Sequence, residues 1–337
     1  MKASVQAVTY HLPEEVLVNE TLTAIEPTMT PEKIVSKTGI VTRKIAAPGE
    51  CASDLACQAA VSMFARGICS PDEIDYILFC SQSPDYLMPT TACLIQQRLG
   101  VPRSAGALDM NLGCSGYVYG LGLAKGLIET GQSKKLLMLT GETYSKYIRA
   151  EDINVRTIFG DGAACTLIEA VEHPTEDTIG PFIYGTDGLG ANNLIVANRG
   201  FRYLAQRNIG EVEPHSPDED PYMHMNGPEV FLFTLLNVPK AIGDLFERTG
   251  LGWDDVDLVV FHQANAYMLE HLKNKIRIPD EKFYVSMADI GNTGSSTIPI
   301  ALARAEQEDR LQPGDRVMLV GFGVGYSWSA TFIIWQA

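Results

Sequence analysis

The residues of this chain best suited to chemistry are one Cys, one His and one Asn, each set among small or turn-forming neighbours. Cys114 stands in "DMNLGCSGYVYG" (Asp109–Gly120), between Gly113 and Gly116, after an apolar run and before a helical pattern. Small residues let other atoms come close to the sulfur, and the free amides of a helix start favour a thiolate, as does a nearby imidazole. His262 stands in "FHQAN" and Asn292 in "IGNTGSS". His262 offers a neutral nitrogen that hydrogen-bonds, and Asn292 an amide donor that takes no charge. Such donors suit an oxygen that becomes negative during reaction. Singly, each has an ordinary explanation: Cys114 is one of seven Cys and buried Cys are mostly inert, a His is often a hydrogen-bonded core residue, and an Asn between Gly and Thr is a common turn. Only the combination is specific.

The elements that must hold these residues read as α/β layers. Each of the three pieces falls just past a stretch that reads as a buried strand, and strand ends are where ligands bind in such proteins. "SPDEIDYILFCSQS" (Ser70–Ser83) shares its plan with "GWDDVDLVVFHQAN" (Gly252–Asn265), and "SKKLLMLTGETYS" (Ser133–Ser145) resembles "PGDRVMLVGFGVGYS" (Pro313–Ser327) at nearly the same offset. The chain therefore reads as two halves of similar topology, residues 1–172 carrying the Cys and 173–337 carrying the His and Asn, joined through "EAVEHPTEDTIGP". Apolar strands alternate with helical patterns such as "LACQAAVSMFARG" and "VFLFTLLNVPKAIGDLFERTG", which predicts buried sheets between helices. The polar stretch Ala197–Gly227, with three Pro, reads as a surface excursion or a cover for a substrate entrance.

Composition excludes several classes. A net charge of −15 leaves no basic stripe for nucleic acid. The N-terminal "MKASVQAVTYHLPEEVL" alternates like a first strand and has no apolar core of signal-peptide length. No apolar run reaches the length of a membrane span, so a cytoplasmic, non-membrane protein is expected. The seven Cys form no CxxC pair, which argues against a disulfide framework or zinc site.

The chain resembles the beta-ketoacyl-acyl-carrier-protein synthase III family of thiolase-like condensing enzymes. The resemblance runs nearly end to end through "KTGIVTRKIA", "SPDYLMPTTACLIQQRLG", "GCSGYVYGL", "IFGDGAA", "MNGPEVFLF", "FHQAN", "GNTGSST" and "GFGVGYSW". It implies an α/β thiolase-like fold of two βαβαβαββ-type halves in five αβαβα layers, which agrees with the internal repeat. It also implies a homodimeric acyltransferase with no tightly bound cofactor or metal, acting on phosphopantetheine-borne substrates from acyl carrier protein or coenzyme A. In that chemistry Cys114 accepts an acyl group, His262 and Asn292 hold the carbonyl of a malonyl thioester while CO2 leaves, and the resulting carbanion attacks the acyl-Cys. The N–H groups of Cys114 and Val324 would form the oxyanion hole. Phe159, Phe322, Lys37 and Tyr267 fall at substrate-binding positions, and "FGDGAA" is a core turn. Met88 falls where the family places a pocket-floor residue reaching across the dimer.

Several positions depart from the pattern. A Trp and two Arg that usually grip the nucleotide of coenzyme A correspond to Lys33, Lys37 and Ile153, which weakens the case for a coenzyme A primer. Two basic carrier-docking positions hold Leu232 and Tyr267, although Lys273, Lys275 and Arg277 retain charge nearby. "FGVG" stands where "FGGG" is common, and Met88 replaces a frequent Phe, which suits a longer or branched chain. Gln82 stands near the position where hydroxymethylglutaryl synthases carry an acidic Glu, so aldol-type chemistry is not implied.

The leading expectation is a decarboxylating Claisen condensation giving a 3-oxoacyl thioester, in fatty-acid initiation or a specialised pathway. Acyl transfer from Cys114 to an alcohol or amine, and thioester hydrolysis, are the alternatives. A catalytically silent acyl-binding scaffold fits poorly with an intact Cys, His and Asn.

Overall fold

A computed structural model gives the fold and describes residues 1–172, 177–204 and 221–336. The middle of the polar stretch Ala197–Gly227 and part of the joint between the halves lie outside the described residues.

Two five-stranded sheets form the frame. The first contains β1 (Lys2–His11), β2 (Tyr76–Cys80), β3 (Gly106–Met110), β4 (Lys135–Glu142) and β5 (Gly162–Val171), in the order β1-β5-β4-β2-β3. The second contains β6 (Ile179–Thr186), β7 (Leu258–Phe261), β8 (Phe283–Tyr284), β9 (Arg316–Gly323) and β10 (Ser327–Ile334), in the order β6-β10-β9-β7-β8. The two orders superimpose strand for strand. So do the pairings: the last two strands of each list pair in parallel with their neighbours and the others antiparallel. The repeat detected in the sequence is thus a repeat of topology. Even its acidic turns match, because Asp75 accepts from the N–H of Lys135 at the start of β4 and Asp257 from that of Arg316 at the start of β9.

Five layers follow from which helix faces are apolar. Helices α1 (Ala52–Ala65) and α2 (Thr91–Leu99) cover the outside of the first sheet. Helix α3 (Gly116–Glu129) and α6 (Thr297–Gln307) lie between the sheets, while α4 (Gly227–Thr249) and α5 (Ala266–Ile276) cover the second sheet from outside. The middle-layer helices are apolar on the faces that meet the two sheets and carry their charges, Lys125, Glu129, Arg304 and Glu306, toward their C-terminal ends. Tyr117, Leu121, Ile298 and Leu302 pack there against Leu78 and Leu136 of one sheet and Val260 and Leu319 of the other.

Close approach explains the glycines flanking the Cys. A Cβ on Gly116 would run into the Cys80 sulfur, and one on Gly323 would lie 2.6 Å from both Cβ and Sγ of Cys114. Strand β9 of the second half therefore passes directly over the nucleophile of the first. Strand β3, which leads to Cys114, differs from the expectation of a buried strand. It is an edge strand, only half-buried along its length.

Candidate active site

Cys114 lies between β3 and the first turn of α3, with Ser115 as its N-cap. His262 follows β7 directly, as expected. Asn292 does not directly follow a strand. It sits in a loop between β8 and α6, bridged to the turn at Phe159. The Asn292 N–H donates to the Ile158 carbonyl at 2.9 Å, and the Gly160 N–H donates to the Asn292 carbonyl at 3.0 Å. That turn is anchored in its own half: Asp161 is buried and accepts from the Ala46 N–H and from the N–H and hydroxyl of Ser145. "FGDGAA" is thus the core turn expected, and it carries the Asn of the other half.

Arg43 steadies the same turn, a role the sequence reading missed. Its guanidinium is fully buried and donates to the Thr157 carbonyl and to Asn19 Oδ1. Burial pulls it down to about 10.

The three side chains share one cavity of about 340 Å³, whose walls include Cys114, His262, Asn292, Phe159 and Phe322. All three are nearly inaccessible, at 5, 2 and 4% exposure. His262 Nδ1 lies 2.7 Å from the Thr297 hydroxyl, which also lies 3.1 Å from the Gly294 carbonyl. Asn292 Nδ2 lies 3.5 Å from His262 Nε2, while Asn292 Oδ1 accepts from the Gly294 N–H at 3.0 Å. The amide is therefore oriented with its NH2 toward the imidazole. Burial pulls His262 down to about 3, so it is neutral at pH 7.

The sulfur differs from expectation. Burial pushes Cys114 up to about 12, although the N–H of Val324 and its own N–H favour the charged form. Desolvation outweighs the amides and Cys114 rests as a thiol. The two N–H groups that face the sulfur are the pair predicted for the oxyanion hole.

Lys37 and Tyr267 line the cavity at its outer end, beside Phe231 and Met268. Lys37 lies in the last turn of the helix Pro31–Thr38, which is capped by Gly39 at φ 72°, a left-handed conformation that a glycine adopts without strain. Lys33, on the same helix, is exposed and donates to the Thr28 carbonyl. Ile153 is buried against Leu22 and Ile34. The basic residues of α5 are already engaged: Lys273 pairs with Glu270 and Asp280, and Lys275 donates to the Leu235 carbonyl. Arg277 caps that helix at φ 61°. Leu232 is exposed on α4. Met88 is 74% exposed and lies outside the walls of its own chain's site.

A buried carboxyl, Glu142 at the end of β4, was also missed. It accepts from the hydroxyls of Ser83 and Ser295 and from the Gln82 N–H, joining the two halves beside the Asn292 loop. Burial pushes it up to about 8. A lone acid closing the apolar run "LLMLTGE" was the available signal.

Comparison with known proteins decides the family. The family model described as 3-Oxoacyl-[acyl-carrier-protein (ACP)] synthase III matches residues 108–188, and its C-terminal counterpart matches 246–335. A beta-ketoacyl-[acyl-carrier-protein] synthase III of Caldanaerobacter subterraneus subsp. tengcongensis is 33% identical over 326 residues, covering 97% of this chain and 96% of that one. The chain belongs to the beta-ketoacyl-acyl-carrier-protein synthase III family. A relative of the same description from Symbiobacterium thermophilum is 36% identical over 324 residues, covering 96 and 95% of the two chains. A 3-oxoacyl-(acyl-carrier-protein) synthase III crystal structure is 47% identical, covers 99% of this chain and 100% of its own, and superimposes with a TM-score of 0.94. The thiolase-like fold follows, and the protein is an acyltransferase of the condensing type. No helix among the described residues is long and apolar enough to cross a membrane.

Proposed function

We propose that Cys114, His262 and Asn292 carry out a two-step condensation that joins an acyl group to a malonyl-derived unit. In the first step the Cys114 sulfur attacks an acyl thioester, and the tetrahedral oxyanion accepts from the N–H groups of Cys114 and Val324. The carrier thiol leaves with the proton that Cys114 gave up. In the second step the carbonyl of a malonyl thioester accepts from Asn292 Nδ2–H and from His262 Nε2–H, a tautomer that requires the Thr297 hydroxyl to turn from the Gly294 carbonyl and donate to Nδ1. Loss of CO2 leaves its electron pair on the enolate held by these donors. The enolate carbon attacks the Cys114 acyl group, a 3-oxoacyl thioester departs, and the released sulfur is reprotonated.

The observation that supports this reading is the position of the two donors and the sulfur on one mainly apolar cavity, with Val324 N–H on the sulfur. A neutral His262 suits it, because an imidazolium would attract and retain the malonyl carboxylate whose loss drives the reaction. Both substrates arrive on phosphopantetheine, through acyl carrier protein or coenzyme A, past Lys37 and Tyr267. Phe159 and Phe322 form apolar walls of the site.

The protein is proposed to act as a homodimer of two-half subunits, 1–172 and 173–337. The edge of β3, unpaired among the described residues, and exposed Met88 and Leu108 support a second copy at that face. The test of the activity is to load Cys114, add malonyl thioester and follow CO2. Release of CO2 with a 3-oxoacyl product supports condensation, and free acid alone would sink it in favour of hydrolysis.

A further inference from the structure

A second cavity of about 620 Å³ adjoins the site, with Leu194 bordering both and Val324 in its wall. Its lining is mainly apolar, including Leu194, Met223 and Val324; Asp85 and Asn111 also line it, and Gln82 and Tyr144 form a hydrogen-bonded polar pair in its wall. Gln82 is held at three points. Its N–H donates to the Glu142 carboxyl at 3.1 Å, its carbonyl accepts from the Tyr147 hydroxyl at 3.2 Å, and its Oε1 accepts from the Tyr144 hydroxyl at 2.8 Å. Tyr144 is itself buried, edge-on to Phe159. With Oε1 committed, the planar amide presents Nε2, a double donor that has no acceptor among the described residues. The pair lies beside the nucleophile: a Cβ on Gly113 would lie 2.5 Å from Gln82 Oε1, 2.6 Å from the Tyr144 hydroxyl and 3.2 Å from Val324 Cγ1.

A plain alkyl chain entering this cavity strips water from Gln82 Nε2 and returns no acceptor. A chain with an oxygen at that point restores the hydrogen bond. Sites with an oriented buried donor reject ligands that lack the matching group, since the unmet donor loses its full solvation. We infer that the acyl group loaded on Cys114 carries an oxygen within its first few carbons, as a 3-hydroxy or 3-oxo substituent, bound by Gln82 Nε2. This rests on the reading of Cys114 as the acyl carrier.

The test is intact-mass kinetics of the whole protein with 3-hydroxybutyryl, acetoacetyl and butyryl phosphopantetheine. Loading by at least one oxygenated thioester about ten- to a hundredfold faster than butyryl is expected. In Gln82→Leu the ratio should fall to near one. Tyr144→Phe, which keeps Gln82 but frees its amide to turn, should lower the ratio part-way and serves if the first variant misfolds. Butyryl loading as fast as both oxygenated thioesters would overturn the inference, as would an undiminished ratio in folded Gln82→Leu. Failure of every thioester to load would instead overturn the role of Cys114 itself.

Discussion

Asn292 Nδ2 lies 3.5 Å from His262 Nε2, too far apart for a good mutual hydrogen bond and close enough for both to reach one oxygen. The pair is assembled from its supports. Thr297 holds the far side of the imidazole, and the Gly294 N–H fixes which end of the amide faces the cavity.

Removal of either donor should therefore separate the half-reactions. His262→Ala and Asn292→Ala should cut CO2 release by about a hundred- to a thousandfold, the usual cost of one preorganised oxyanion donor, while Cys114 still acquires acyl mass. Cys114→Ala should acquire none. Undiminished acylation of Cys114→Ala would refute the mechanism.

Stability should plateau in mildly acidic solution and fall on both sides. His262, pulled down to about 3, binds fewer protons folded than unfolded, so stability is lost as pH falls below its ordinary value near 6.5. Glu142, pushed up to about 8, binds more protons folded, so its contribution is complete below pH 4.5 and is lost as pH rises toward 8. Between pH 4.5 and 6.5 the two slopes oppose. Glu142→Gln should flatten the melting temperature between pH 6.5 and 8, and an unchanged slope there would show that Glu142 does not set it.

Light scattering at micromolar concentration should give about twice the chain mass of 36.8 kDa. Leu108→Glu, a charge placed on the exposed side of the edge strand β3, should shift the protein toward monomer. A monomeric parent protein would leave Met88 with no pocket to reach.

Acyl-coenzyme A should load Cys114 with weaker apparent affinity than the same acyl group on its carrier, by about tens- to hundredsfold. That is what one stacked ring and charge-assisted hydrogen bonds are worth. The nucleotide lies far from the reacting carbon, so the loss belongs in KM and not in kcat. Lys33→Trp with Lys37→Arg should recover part of it. Ile153 offers no such repair, because it is packed against Leu22 and Ile34. Half-saturation in the low micromolar range for the parent protein would contradict the assigned role of this segment.

The internal repeat and the candidacy of Cys114, His262 and Asn292 were legible in the sequence by itself. These are local signals: apolar strand runs repeat at a fixed offset, and glycines mark close approach. Strand order within each sheet was decided by the tertiary pairing, and the likeness of the two halves implied only that the two orders match. The tertiary structure alone decided what depends on partners distant in the chain. Asn292 is placed by a turn of the other half, more than a hundred residues away, and not by a strand of its own. Burial, a property of the whole packing, leaves Cys114 a thiol where its helix start suggested a thiolate, and it raises Glu142, whose donors come from Ser83, Gln82 and Ser295. The charge expected from Lys273 and Lys275 is committed for the same reason, since a lysine's pairing is set by whatever the fold brings beside it.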